Sequence, residues 1–315
     1  MAEILTAGET MAVLIPKEDG GICYNREYRM RAAGAESNTA IGVCKLGHTA
    51  AFLSKVGADG PGEFILKTLR AEGVDSSYVG VEESFPTGLM FKEMGTRETR
   101  VTYYRAGSAA SHLAPADIPK KALLESRILH LSGITPVLSK SCMEMTEALF
   151  AEAQKAGVTI SFDPNIRKKL WKEKDFREQL TEWTLQADVA LLGVDEAECL
   201  FGIREEAQIF DLLFSKGRVT AAVLKNGSRG AVVANHTEQI SIEPYPCRVI
   251  DPVVAGDGFN AGFLCGILEE KSLELCGKMG GICGALATET TGDFEGYPTK
   301  RQMERLLLGE EEIYR

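Results

Sequence analysis

The chain has 315 residues, of which 44% are hydrophobic and 25% charged, a balance typical of a globular protein and too apolar for a disordered one. Its 45 Asp+Glu outnumber its 35 Lys+Arg, giving a net charge of −10. That sign excludes a general nucleic-acid binder, which needs a basic footprint to displace counterions. An anionic small molecule stays within reach, provided a few cations are set locally against the overall field.

No stretch approaches the ~18 continuous apolar residues of a membrane span. The first ten residues, MAEILTAGET, show no basic leader ahead of an apolar run. A cytoplasmic protein with no membrane partner is expected. The eight cysteines form no CxxC pair and are expected to be reduced thiols. His48, His112, His130 and His236 have no metal-ligand spacing.

In chain order, Ile4–Ala7 reads as a strand and residues 34–45 as a helix, with small residues and Asn38 near its start. Ala51–Val56 is the next strand, and Phe64–Ala71 is a helix ending at Gly73. Ile128–Leu131 is strand-like, and Ser139 caps a helix that runs through Lys155 and stops at Gly157. Val158–Phe162, Val189–Leu192 and Ala221–Leu224 are short buried strands separated by helical runs. This alternation predicts an α/β fold, a mostly parallel sheet flanked by helices. Residues 11–32 and 87–105 break the rhythm, being extended, polar and partly alternating. GLMFKE and ETRVTYYRA predict a hairpin across Gly95-Thr96-Arg97. A small antiparallel β lid explains both stretches, and ordinary surface hairpins are the plainer reading. With no linker or repeat, one domain over 1–315 is expected, its lid strands inserted at about 11–32 and 87–108.

The most informative segment is Asp251-Pro-Val-Val-Ala-Gly-Asp257, followed by an apolar helix. A helix N-terminus offers unpaired N–H groups and a positive dipole end, and small residues at 255 and 256 let an anion approach them. Asp257 falls in the first turn, where a carboxylate can accept a hydroxyl proton during attack on phosphorus. A plain helix-capping Asp is the structural alternative.

This segment resembles the C-terminal signature of the ribokinase-like (phosphofructokinase-B) sugar kinases, Asp-Thr/Pro-x-Gly-Ala-Gly-Asp. The resemblance implies a ribokinase-like fold, ATP as phosphoryl donor, Mg²⁺, and a monovalent cation as an open option. It makes Asp257 the catalytic base and the backbone of Val254, Ala255 and Gly256 the anion-holding turn. Val254 stands where glycine is usual, and valine does not readily adopt φ > 0. Either the anion hole is altered, or the position needs no glycine conformation.

Other segments extend the likeness along nearly the whole chain. Ala33-Gly-Ala-Glu-Ser-Asn38 is similar to the sugar-binding Gly-Gly-x-x-x-Asn, which implies that Gly34 and Asn38 meet a sugar hydroxyl. A tight strand-to-helix turn is the bland alternative. Asp163-Pro-Asn-Ile-Arg167 follows a buried strand, at the edge where α/β proteins bind ligands, and implies Asn165 and Arg167 between sugar and nucleotide. Lys225-Asn-Gly-Ser-Arg-Gly230 is similar to a nucleotide loop, implying ATP contacts at Lys225, Gly227 and Gly230. Gly193-Val-Asp-Glu196 stands for Asn-x-x-Glu, with Glu196 reaching Mg²⁺ through water or simply starting a helix. There is no GxxxxGK[ST] and no GxGxxG after the first strand, against a P-loop kinase or a dehydrogenase.

Within the family, Tyr103–Ser108, Leu129–Pro136, Asp163–Trp171 and Gly292–Gly296 are similar to the branch acting on 2-keto-3-deoxygluconate. Such a sugar acid suits a guanidinium fork, for which Arg105 and Arg167 are the candidates. The likeness also implies Tyr103, Gly34, Ile134 and Asp293 in the sugar pocket. Met90 replaces a further aromatic hydroxyl. Alternatives are a kinase for a neutral sugar (fructose, ribose) or a nucleoside, and a catalytically impaired sugar-binding homologue. The likeness further allows two copies to pair through their lids.

Overall fold

The computed structural model describes residues 1–18, 21–94, 99–171 and 174–309; the expected turn Gly95-Thr96-Arg97 lies outside them. The strands are β1 (Ile4–Ala7), β2 (Met11–Pro16), β3 (Tyr28–Ala33), β4 (Ala50–Gly57), β5 (Val79–Glu82), β6 (Leu89–Met94) and β7 (Thr99–Tyr104). They continue with β8 (Ile128–Ser132), β9 (Thr159–Asp163), β10 (Val189–Gly193), β11 (Ala221–Lys225), β12 (Ala231–Asn235) and β13 (Gln239–Ile242). The helices are α1 (Ala35–Lys45), α2 (Gly60–Ala71), α3 (Lys120–Glu125), α4 (Lys140–Ala156), α5 (Lys168–Trp171) and α6 (Arg177–Gln186). After them come α7 (Val194–Phe201), α8 (Glu206–Lys216), α9 (Ala255–Leu268), α10 (Leu273–Ala287) and α11 (Lys300–Leu307).

The large sheet has the order β13-β12-β11-β10-β9-β8-β1-β4-β5. Its pairings are parallel from β5 to β11, and β12 and β13 close it with antiparallel pairs. Parallel strands are covered on both faces, which is why β1 and β8 are buried along their whole length. Ile4 and Ile128 pack into one core with Phe52, Phe259 and Phe263, while Leu5 and Leu129 pack into the other with Phe150, Phe162 and Trp183. Neighbouring residues along a strand thus feed opposite layers.

Helix ends follow local chemistry. Ser139 accepts from the Cys142 amide and Gly157 closes α4 at φ 72°, as the sequence predicts. No helix among the described residues is long and apolar enough to cross a membrane.

The small sheet has the order β3-β2-β6-β7, with antiparallel β2–β3 and β6–β7 joined by a parallel β2–β6 seam. Along β7, half-buried and exposed residues alternate strictly. Thr99, Val101 and Tyr103 therefore share the inner face, on which the β6 register places Met90 and Lys92.

Candidate active site

Residues 252–254 form a single 3-10 turn that feeds directly into α9. Val254 has φ −97° and ψ 0°, so the turn makes no demand for a left-handed residue, and its side chain is 1% exposed in the core. The second of the two sequence readings therefore holds at this position. No side chain caps α9, whereas side chains cap α2, α4, α10 and α11. A Cβ placed on Gly256 would meet only the Lys225 Nζ, 3.6 Å away. The first amides of α9 are thus open to an anion, with an ammonium alongside.

Asp257 lies in the first turn of α9 without capping it. Its Oδ2 accepts from the Asn38 side-chain amide at 2.9 Å. The same amide donates to Asp293 Oδ2 at 3.3 Å. Asp293 Oδ1 accepts from Lys92 Nζ at 3.0 Å, and that ammonium is also ion-paired with Asp251. Burial pushes the Asp257 carboxyl up to about 7, and nearby Asp163 and Asp293 add to the rise against the pull of Asn38 and Arg167. Burial raises Asp293 as well, against the pull of Lys92.

Asn38 is 1% exposed, and its amide donates to two carboxylates. Its Oδ1 is buried without a hydrogen-bond partner among the described residues. Gly34 sits at φ 174°, an ordinary extended angle. Its glycine is fixed by packing, because a Cβ there would lie 2.3 Å from the Glu9 carbonyl oxygen.

At the carboxyl end of β9, Asp163 Oδ2 accepts from Lys225 Nζ at 2.8 Å and from Asn260 Nδ2 at 2.6 Å. Lys225 donates also to Asn260 Oδ1 at 3.2 Å, so its charge is already matched although it borders the helix end. Asn165 adopts φ 38°, a conformation asparagine tolerates better than most residues, and its amide donates to Asp163 Oδ1 at 2.9 Å. Arg167 is exposed, has no ion-pair partner among the described residues, and stands near enough to Asp257 to lower its carboxyl.

Glu196 reaches back to the N-cap of α7, making the N3 half of a capping box. Its oxygens accept from the Gly193 amide and the Ile166 amide, both at 2.8 Å. This is the helix-start role, and one lone pair on each oxygen stays open for water. Gly227 and Gly230 have φ 56° and 82°, and a Cβ on Gly230 would lie 2.0 Å from the Ile242 carbonyl oxygen. The β11–β12 connection and β13 require Gly230 whether or not a nucleotide binds.

In the small sheet, Tyr103 is half-buried beside Met90. Its ring centroid is 5.6 Å from the Arg105 guanidinium carbon. Arg105 is buried and ion-paired within the chain. Its Nε donates to Glu9 Oε2 at 2.6 Å, a terminal nitrogen pairs with the same oxygen, and Ser108 donates to Glu9 Oε1 at 2.5 Å. Its charge is neutralised by a buried carboxylate before any ligand arrives. Ile134 is half-buried at the start of a 3-10 turn, its amide donating to Ser132 Oγ at 3.1 Å. That hydroxyl and Thr135 donate to Glu36 Oε1, and burial raises the Glu36 carboxyl.

Sequence reasoning passed over Glu9, Glu36, Lys92 and Asn260 and gave Asp251 no role. Lys92 had a visible signal, since a charge two residues from Met90 on an alternating strand must share its inward face.

A carboxyl buried in the first turn of a helix that no side chain caps, with an exposed arginine nearby, is an arrangement able to hold a phosphate and take up a proton. Residues 1–300 match the pfkB family of carbohydrate kinases. The chain is 35% identical to the 2-dehydro-3-deoxygluconokinase of Bacillus subtilis, covering 99% of this chain and 97% of the relative. It is 31% identical to the 2-dehydro-3-deoxygalactonokinase of Haloferax volcanii, covering 98% and 97%. The solved PfkB protein from Polaromonas sp. JS666 superposes with a TM-score of 0.89 at 30% identity, covering 96% of this chain and 99% of that one. A putative Ribokinase II from E. coli, solved with ATP and Mg²⁺, shares the fold at a TM-score of 0.90 and 23% identity, covering 98% and 100%. The chain belongs to the pfkB family of carbohydrate kinases and has the ribokinase-like fold.

Proposed function

We propose that this kinase transfers the γ-phosphoryl group of ATP to the terminal hydroxyl of 2-keto-3-deoxygluconate (2-dehydro-3-deoxygluconate) or a closely related sugar acid. The observation that carries the chemistry is Asp257, a carboxyl with a pKa of about 7 in the first turn of an uncapped helix. Asp257 accepts the hydroxyl proton as the sugar oxygen bonds to the γ-phosphorus, the bridging oxygen–phosphorus bond breaks, and ADP leaves. The first amides of α9, with Lys225 beside them, stabilise the charge on the phosphoryl oxygens in flight. Asn38 holds Asp257 in register for the hydroxyl.

No group of three or more His, Cys, Asp or Glu that could hold a metal stands among the described residues. Mg²⁺ therefore suits this site as an ion carried by nucleotide phosphates, with Glu196 offered to its water shell. It would supply charge neutralisation.

The sugar-acid reading is supported by the names of the two curated relatives and by Arg167, an exposed guanidinium beside the base. Arg105, tied to Glu9, no longer adds to that argument. Nor does Val254 support an impaired enzyme, since its negative φ makes no demand for glycine.

The test is coupled ADP release with 2-keto-3-deoxygluconate, its galacto epimer, fructose, ribose and a nucleoside. The sugar acids should lead in kcat/KM by at least about tenfold, the worth of one charge-assisted pair. Arg167→Ala should remove most of that lead through KM. Equal use of fructose or ribose overturns the sugar-acid reading. Ligand-induced stabilisation with no turnover on any substrate would instead establish a binding homologue.

A further inference from the structure

Lysine is seldom fully buried unless it is paired. Lys92 is 1% exposed, and it carries its charge from β6 of the small sheet into the floor of the site. There its ammonium is ion-paired with Asp251, which is 0% exposed, and lies 3.0 Å from Asp293 Oδ1. From the adjacent strand, Thr99 donates to Asp251 Oδ1 at 3.2 Å. Lys92 thus reaches both acids, which lie on opposite sides of Asp257 in sequence, and Thr99 reaches Asp251. Asp251 opens the turn into α9, its Oδ1 accepting from the Val253 amide at 3.2 Å. Asp293 shares the Asn38 amide with Asp257. One continuous path therefore runs from the small sheet through Lys92, Asp293 and Asn38 to Asp257.

We propose that Lys92 is a positioning residue that couples docking of the small sheet to alignment of the catalytic base. The proposal rests on the reading of Asp257 as that base. When the sheet is docked, the ammonium bridges both acids, so Asp293 holds one side of the Asn38 amide and Asn38 presents the other to Asp257. When the sheet lifts, the ammonium leaves with it. Buried Asp293, which Lys92 holds against the upward push of burial, then turns to a proton or a solvent cation for its counter-charge. Asn38 loses its fixed second acceptor, and Asp257 loses its orientation. Turnover is confined in this way to the state in which the sheet covers the cleft, which also limits loss of the phosphoryl group to water.

The test compares Lys92→Met and Lys92→Arg with wild type by melting temperature, kcat, KM for ATP, and hydrogen exchange of the β6 and β7 amides. Lys92→Met should stay folded, lose at least about tenfold in kcat with KM for ATP nearly unchanged, and exchange faster in both strands. Lys92→Arg should recover most of the rate, and ammonium or methylammonium chloride should partly restore Lys92→Met. A folded Lys92→Met with wild-type kcat overturns the proposal. So does a loss of kcat matched by an equal rise in KM for ATP, or one that arginine leaves unrepaired. If Lys92→Met does not fold, Thr99→Val loosens the same docking while leaving the charge in place. Faster exchange with lower kcat then supports the coupling, and faster exchange with unchanged kcat overturns it. Failure of the base reading shows as near-wild-type turnover in Asp257→Asn, whereas failure of this one shows only in the Lys92 and Thr99 variants.

Discussion

Asp257 takes its chemistry from where it is buried. Desolvation lifts its carboxyl from an ordinary 3.8 to about 7, so near neutral pH it is both substantially ionised and basic enough to take a hydroxyl proton. We expect kcat/KM for the sugar to rise with pH on one ionisation near 7 and to level above it. Asp257→Asn should abolish both the limb and most of the turnover, by about a hundredfold or more. A limb centred below about pH 5 would show that the base titrates as a solvated carboxyl. Stability should run in the opposite direction. The folded state holds the Asp257 proton more tightly than the unfolded chain does. The stabilisation is full below pH 3.8 and is lost as pH rises through about 7. The gap between those values sets a ceiling of about 4 kcal/mol, reduced by whatever relaxation the site allows. Asp257→Asn should therefore melt above wild type at pH 8 and close to it at pH 4. Melting curves across that range decide the point, and an equal offset at both ends refutes it.

At the scale of elements, β1, β4, β8, β9, β10 and β11 were legible because a strand covered on both faces is a short apolar run, and β7 because one face of it is wet, whereas β5, β12 and β13 of the large sheet went unnamed. The long helix was legible at both ends through Ser139 and Gly157. Val254 is where reading by motif misleads. A glycine in a signature suggests a glycine conformation, yet this turn enters α9 at φ −97°, on the side of the map open to side-chain-bearing residues, and the valine side chain fills the core beneath. Val254→Gly should thus remove packing without improving the anion site. We expect a loss of about 2–4 kcal/mol in denaturant unfolding, from a buried valine plus backbone freedom. No gain in kcat should accompany it. A tenfold faster Val254→Gly enzyme would mean that the wild-type turn is distorted after all.

At the scale of the molecule, the short motifs at 163–167, 225–230 and 251–257 each put a chemically meaningful group at the cleft, because each lies on one strand end or one helix start. What the sequence hid is how those groups are paired. Arg105 meets Glu9 across 96 positions, Lys92 meets Asp293 across 201, and Asn38 meets Asp293 across 255. No local spacing encodes such contacts; they follow from the order of strands in two sheets. The pairing also changes what the net charge of −10 means. Of the cations around the site, Lys92, Arg105 and Lys225 are matched by the chain's own carboxylates, and Arg167 stands unpaired among the described residues. An approaching sugar acid thus meets a repulsive long-range field and one attractive contact. Raising ionic strength from about 10 mM to about 150 mM shortens the screening length from roughly 30 Å to roughly 8 Å. That suppresses the repulsion far more than a contact pair. At saturating MgATP, kcat/KM for the sugar acid should therefore rise about twofold with salt, while any neutral sugar stays flat. Arg167→Ala should keep the rise and lower the whole curve. A steep fall with salt in wild type would show that a positive field extending beyond Arg167 draws the substrate in.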